Sequence, residues 1–96
     1  MKILNKGMIE QELVQRVKNY LEEKEKKYYP NSIEYTGIRN TKQRDGSFKK
    51  MHLVHYMVSI SNQQYGGDAF YTVAFDEKTL KMEFIVGPQS LEIIEE

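Results

Sequence analysis

Between residues 8 and about 28 the apolar positions follow a helical rhythm. Ile9, Leu13, Val17, Tyr20, Leu21 and Tyr28 lie at helical spacings and make one stripe, while Glu10, Glu12, Gln15, Lys18, Glu22 and Glu23 fill the other faces. Early glutamates and late lysines (Lys24, Lys26, Lys27) suit the dipole of such a helix. Its end is predicted near Tyr28-Tyr29-Pro30, because the residue before a proline is pushed out of the helical region.

Beyond Pro30 the rhythm changes to the two-residue period of strands. Residues 33–60 read as one long β-hairpin folded at Arg44-Asp45-Gly46-Ser47, since Asp-Gly accepts the positive φ angles of a two-residue type I′ turn. That turn sets Lys42 opposite Lys49, Ile38 opposite Leu53, Tyr35 opposite Tyr56 and Ile33 opposite Val58. One face then carries Ile33, Tyr35, Val54, Tyr56, Val58 and Ile60 and is expected to meet the helix stripe. The other carries Glu34, Thr36, Ile38, Leu53, His55 and Met57.

Residues 61–68, which contain Gly66-Gly67, form a polar connection. Two further strands, 69–75 and 80–86, are joined through Asp76-Glu77-Lys78-Thr79 and pair Phe75 with Leu80, Val73 with Met82 and Tyr71 with Phe84. Phe70 and Ile85 pair on the opposite face. Ile3 and Leu4 suit an added edge strand. After Gly87-Pro88 the tail suits either a helical turn capped by Ser90 or an extended edge segment.

These elements predict a single α+β domain over residues 1–96: a long N-terminal helix packed on a four-stranded antiparallel meander sheet in two layers. The order of one helix and then four strands is similar to cystatin-like folds. Residues 71–80 (YTVAFDEKTL) resemble the terminal hairpin of the PepSY family, with Leu80 standing where that family has a glycine. The resemblance is confined to this hairpin and places no functional residue on the chain.

Composition narrows the chemistry. There is no cysteine, which excludes disulfides, thiolate metal sites and thiol nucleophiles. Residues 1–7 hold no apolar run of signal-peptide length, and no stretch approaches the ~20 apolar residues of a membrane span. A soluble, cytoplasmic protein is the expectation. Net charge is zero, but residues 36–55 hold 5 Lys/Arg against 1 Asp/Glu, and residues 56–96 hold 2 against 7. A basic middle and an acidic end mark either a polyanion-binding surface or two parts of one fold that attract each other.

Four features are candidates for function. Arg39, Lys42, Arg44, Lys49 and Lys50 crowd the hairpin tip beside Phe48, and Lys42 facing Lys49 is a like-charge pair that an anion such as a nucleic-acid phosphate would relieve. The simpler reading is a solvated tip whose lysines guard the edge. His52 and His55 are spaced H-x-x-H, but an odd separation on a strand sends them to opposite faces, so they share no metal. His55 with Glu34 makes a base and its orienting group, without a nucleophile beside them. Gly66-Gly67 lies between strands, where an anion-binding nest is less expected than a flexible connection. The fourth candidate is the sheet face turned away from the helix.

On that face Ile38, Leu53, Met57 and Phe70, with Ile85, form an apolar patch of the kind that binds a partner or a second copy, unless the N-terminal segment or Leu91, Ile93 and Ile94 fold over it. The expectation is therefore a non-enzymatic protein-interaction or regulatory module, with no metal or cofactor, binding through the outer sheet face or a strand edge. The alternative is a nucleic-acid or polyanion binder working through Arg39, Lys42, Arg44, Lys49 and Lys50.

Overall fold

The computed structural model describes residues 6–59, 68–88 and 90–94. One helix, α1 (Lys6–Glu23), packs on a five-stranded antiparallel meander of β1 (Glu34–Lys42), β2 (Phe48–Ser59), β3 (Asp68–Asp76), β4 (Met82–Val86) and β5 (Leu91–Ile93). A short 3-10 turn, Pro30–Ser32, leads into β1. The sheet has one strand more than expected, because the tail is extended and pairs with β4. The expected edge strand at Ile3 and Leu4, the core position of Ile60 and the Gly66-Gly67 connection lie outside the described residues. Among the described residues no helix is long and apolar enough to cross a membrane.

The helix stripe does what its spacing requires. Leu13, Val17 and Leu21 are fully buried against Val54, Tyr56, Val73, Phe75, Met82 and Ile85, with Ile9, Tyr20, Tyr28, Ile33 and Tyr35 packed around them. Full burial of each such aliphatic side chain contributes about 1.5–3 kcal/mol. Helix propensity alone leaves a helix of this length marginal in water, so the stripe is what holds it.

α1 ends at Glu23, earlier than Pro30 would impose. Glu25 takes φ +56, and the Lys26 N–H donates to the Leu21 carbonyl at 2.8 Å while the Glu25 N–H donates to that of Glu22 at 3.1 Å. This is a Schellman stop, with Glu25 in the place glycine usually takes. Residues 24–27 have no apolar side chain to continue the stripe, so the late lysines fall beyond the helix instead of in its last turn.

The first hairpin departs from its expected register twice. Its loop has three residues, not two. The Gln43 N–H donates to the Ser47 carbonyl at 2.7 Å, the Gly46 N–H donates to that of Gln43 at 3.0 Å, and Gly46 takes φ +91. This is a turn followed by a glycine bulge, and the Asp45 carboxylate fastens it by accepting from the Ser47 N–H at 2.9 Å and hydroxyl at 2.6 Å. Lys42 therefore faces Phe48, Thr41 faces Lys49 and Ile38 faces His52.

A bulge between Tyr35 and Gly37, with Gly37 at φ +108, adds a second one-residue shift. Two shifts restore the original parity. Tyr35, Val54 and Tyr56 thus do face the helix, although Tyr35 is opposite Val54 and not Tyr56.

The second hairpin is also displaced. Asp76 and Lys81 close a four-residue loop, residues 77–80, through the Asp76 N–H and the Lys81 carbonyl at 2.9 Å, and Leu80 takes φ +61. Leu80 thus has the left-handed conformation that glycine adopts most readily. It keeps a side chain there that packs on the core, and its carbonyl accepts from the Arg16 guanidinium. A further bulge in β4 follows, so Phe75 faces Met82, Ala74 faces Phe84 and Val73 faces Ile85. Ile85 is in the core and Phe84 is on the outer face, the reverse of the expected placement.

Replacing Glu25 by glycine removes the cost of a left-handed glutamate, partly offset by a more flexible unfolded chain. Glu25→Gly should raise stability by about 0.5–1 kcal/mol, read as an unfolding midpoint a few degrees higher. An unchanged or lower midpoint would count against the left-handed stop.

Candidate functional site

The face of the sheet away from α1 is built in rows, because residues directly opposite in an antiparallel ladder share a face. One row runs Ile93, Phe84, Ala74, Leu53, Gly37 and the next Leu91, Val86, Thr72, His55, Glu34, with Phe70 and Met57 beyond. Of the four residues expected there, Leu53, Met57 and Phe70 are present, and Phe70 stands 63% exposed. Ile38 is not among them. The three-residue loop turns it to the helix side, opposite His52, where it is exposed at the periphery near Ile9 and Tyr35.

Phe84, Val86, Leu91 and Ile93 extend this face, and the sequence reading missed the first two. The alternation Leu91, Glu92, Ile93 was a legible strand signal. Nothing local marked the β4 bulge that turns Phe84 outward.

The hairpin tip bends over this face. Lys42, Gln43, Arg44 and Asp45 line a groove of about 640 Å³ together with Glu83, Phe84, Val86, Leu91 and Ile93. Under the tip the Gln43 side-chain amide reaches the Met51 sulfur at 3.6 Å, and Met51 is fully buried although it lies on the outer side of the sheet.

The groove's charges differ in how they are held. Lys49, expected to be part of a free basic cluster, lies 2.7 Å from Asp76 and 2.8 Å from Glu83. It faces Thr41, so the like-charge pair with Lys42 does not exist. The Lys49 ammonium, together with the Thr79 and Lys78 N–H groups at 2.8 Å, holds the Asp76 carboxyl well below the usual carboxylate range. Asp45 is committed to the Ser47 cap, which lowers its pKa too. Arg39, Lys42, Arg44 and Lys50 have no ion-pair partner among the described residues.

β5 is anchored from the helix side. Glu92 accepts from the Lys26 ammonium at 2.6 Å and from the Tyr20 hydroxyl. Lys26 first and Tyr20 second lower the Glu92 pKa, while burial and then Glu92 push Tyr20 up to about 12. The Glu83 carbonyl accepts from the Ile94 N–H at 2.9 Å beyond the strand.

The histidines are on opposite faces, as their spacing requires. His52 is buried and bonded through Nδ1 to the Tyr35 hydroxyl at 2.9 Å. His55 lies on the outer face, directly opposite Glu34 in register, with Nδ1 2.8 Å from the Thr72 hydroxyl. Among the described residues no group of three His, Asp or Glu side chains could hold a metal ion.

Geometry and charge define a small α+β domain with one helix-covered sheet face and one grooved, partly apolar face. Compared with known protein families, curated proteins and solved structures, the chain matches none.

Two pH effects follow. A depressed carboxylate adds stability that is present above its unfolded pKa of 3.8 and lost as pH falls through and below that value. Acid unfolding of the native chain should therefore show a step that Asp76→Asn lacks, measured as unfolding midpoint against pH. A raised tyrosine adds stability that is present below pH 10 and lost as pH climbs from 10 toward about 12. Tyr20→Phe should flatten that alkaline decline, and an unaltered profile would remove the Tyr20–Glu92 bond from the account.

Proposed function

We propose that this chain is a non-enzymatic protein-interaction module that binds a partner through the outer sheet face. The observation that carries this reading is the run of exposed apolar side chains Phe70, Val86, Leu91 and Ile93 beside Leu53, Met57 and Phe84, all on the side that α1 does not cover. Small monomeric proteins rarely leave such a surface in water without a use for it, because burying it against a partner is favourable in proportion to its area. A photo-crosslinking phenylalanine analogue at position 70, compared with one at the exposed helix position 18, tests the reading in cells. A discrete adduct identified by mass spectrometry is expected from position 70 and none from position 18. Equal adducts from both, or none from position 70, would refute it. Light scattering at about 0.1 M and 1 M salt separates a second copy from a different partner, since apolar association survives screening.

A second reading rests on Arg39, Lys42, Arg44 and Lys50, which have no ion-pair partner among the described residues, with Phe48 68% exposed opposite Lys42: the tip binds a polyanion, with the ring stacking on a base. Single-stranded oligonucleotide affinity would then fall steeply with salt and drop on Lys42→Ala with Arg44→Ala. Lys49, held by Asp76 and Glu83, contributes little to that surface.

A further inference from the structure

We infer that the outer edge of β5 takes an extended, acidic peptide segment of another protein, added antiparallel as a sixth strand with its carboxylate against Lys42 and Arg44. The inference rests on the outer-face reading and names the edge, the backbone geometry and the charge of the partner.

The first support is the hydrogen-bond phase of the edge. The Gly87 N–H donates to the Ser90 carbonyl, and the Ile94 N–H donates to that of Glu83. In an antiparallel ladder hydrogen-bonded and non-hydrogen-bonded pairs alternate, so the Val86–Leu91 and Phe84–Ile93 pairs are non-hydrogen-bonded. The N–H and C=O groups of Leu91 and Ile93 therefore point away from β4, to an edge that no other described strand pairs. Their side chains, both exposed, lie on the grooved face. An incoming strand would pair its backbone with Leu91 and Ile93 and set alternate apolar side chains beside theirs.

The second support is the contrast between the two edges. β1 is blunted as soluble proteins usually blunt an edge, by the Tyr35/Gly37 bulge and by Glu34, Arg39 and Lys42. β5 has neither a bulge nor an unpaired charge, because Glu92 is turned to Lys26 and Tyr20.

The third support is charge. Of the four ionisable residues that line the groove, Asp45 is held by Ser47 and Glu83 by Lys49, while Lys42 and Arg44 have no ion-pair partner among the described residues. The net demand is for an anion. β5 runs toward the tip, so an antiparallel guest has its acidic residue N-terminal to the apolar residues that meet Ile93 and then Leu91. A second copy of β5 fits less well. Pairing about Glu92 would set Glu92 against Glu92 and carry the acidic end of the partner copy away from Lys42 and Arg44.

The test is a selection from a random ten-residue peptide display library on the full chain, followed by affinities of the synthesised winners. The winners should read as an acidic residue followed by alternating apolar residues. Ile93→Pro removes an N–H that β4 does not use, after a residue already extended, and should weaken binding by about tenfold or more. If amide exchange shows that this variant has lost β5, the exposed double variant Lys42→Glu with Arg44→Glu decides, by reversing the charge preference of the winners. No enrichment, winners indifferent to both variants, or a groove from which a single-stranded oligonucleotide displaces every winner would overturn the proposal. An adduct from position 70 together with winners insensitive to both variants would end the edge proposal and leave the outer-face reading standing. Winners sensitive to both variants without that adduct would do the opposite.

Discussion

A β-strand sends successive side chains to opposite faces, so one extra residue exchanges the two faces of everything beyond it. Three such insertions set the architecture of this sheet: the three-residue loop at Gly46, the bulge before Gly37 and the bulge in β4. The first two cancel in parity, which returns Tyr35, Val54 and Tyr56 to the side where Leu13, Val17 and Leu21 need a surface. The third puts Ile85 in that core and Phe84 outside it. Either of the first two alone would turn Tyr35 away from the helix stripe.

The helix in turn fixes the far edge. Arg16 bonds the Leu80 carbonyl, Tyr20 and Lys26 bond Glu92, and all three lie on or just beyond α1. A three-residue strand has little pairing energy of its own. β5 persists because its inward residue is tied to α1 and because Ile94 packs on the core. Core packing on one side thus holds in place a strand whose other edge pairs with no described strand and whose outer side chains Leu91 and Ile93 are exposed.

Charge follows the same division. Lysine 49 bridges two strands by meeting Asp76 of β3 and Glu83 of β4, so part of the basic middle and acidic end of the chain neutralise each other inside the fold. What is left over at the tip is Arg39, Lys42, Arg44 and Lys50. Lys42 and Arg44 line the groove together with the exposed aliphatic side chains Val86, Leu91 and Ile93.

Much of the fold was legible in residue order: an amphipathic helix through Leu13, Val17 and Leu21, antiparallel strands meandering after Pro30, two hairpins in the right places, and His52 and His55 on opposite faces. These are consequences of periodicity, which is local. The side of the sheet taken by Ile38, Phe84 and Ile85 depends on counting residues through loops and bulges, and Asp45-Gly46 suits both a two-residue turn and a three-residue loop closed by a glycine bulge. The pairing of β1 with β2 and of β3 with β4 decides that count, through contacts between residues far apart in sequence. The same holds for Lys49, whose partners are 27 and 34 positions away. For the C-terminal segment, strand pairing with β4 and the bonds from Tyr20 and Lys26 to Glu92 chose the extended form over a helical turn, a choice available only once the rest of the sheet was in place.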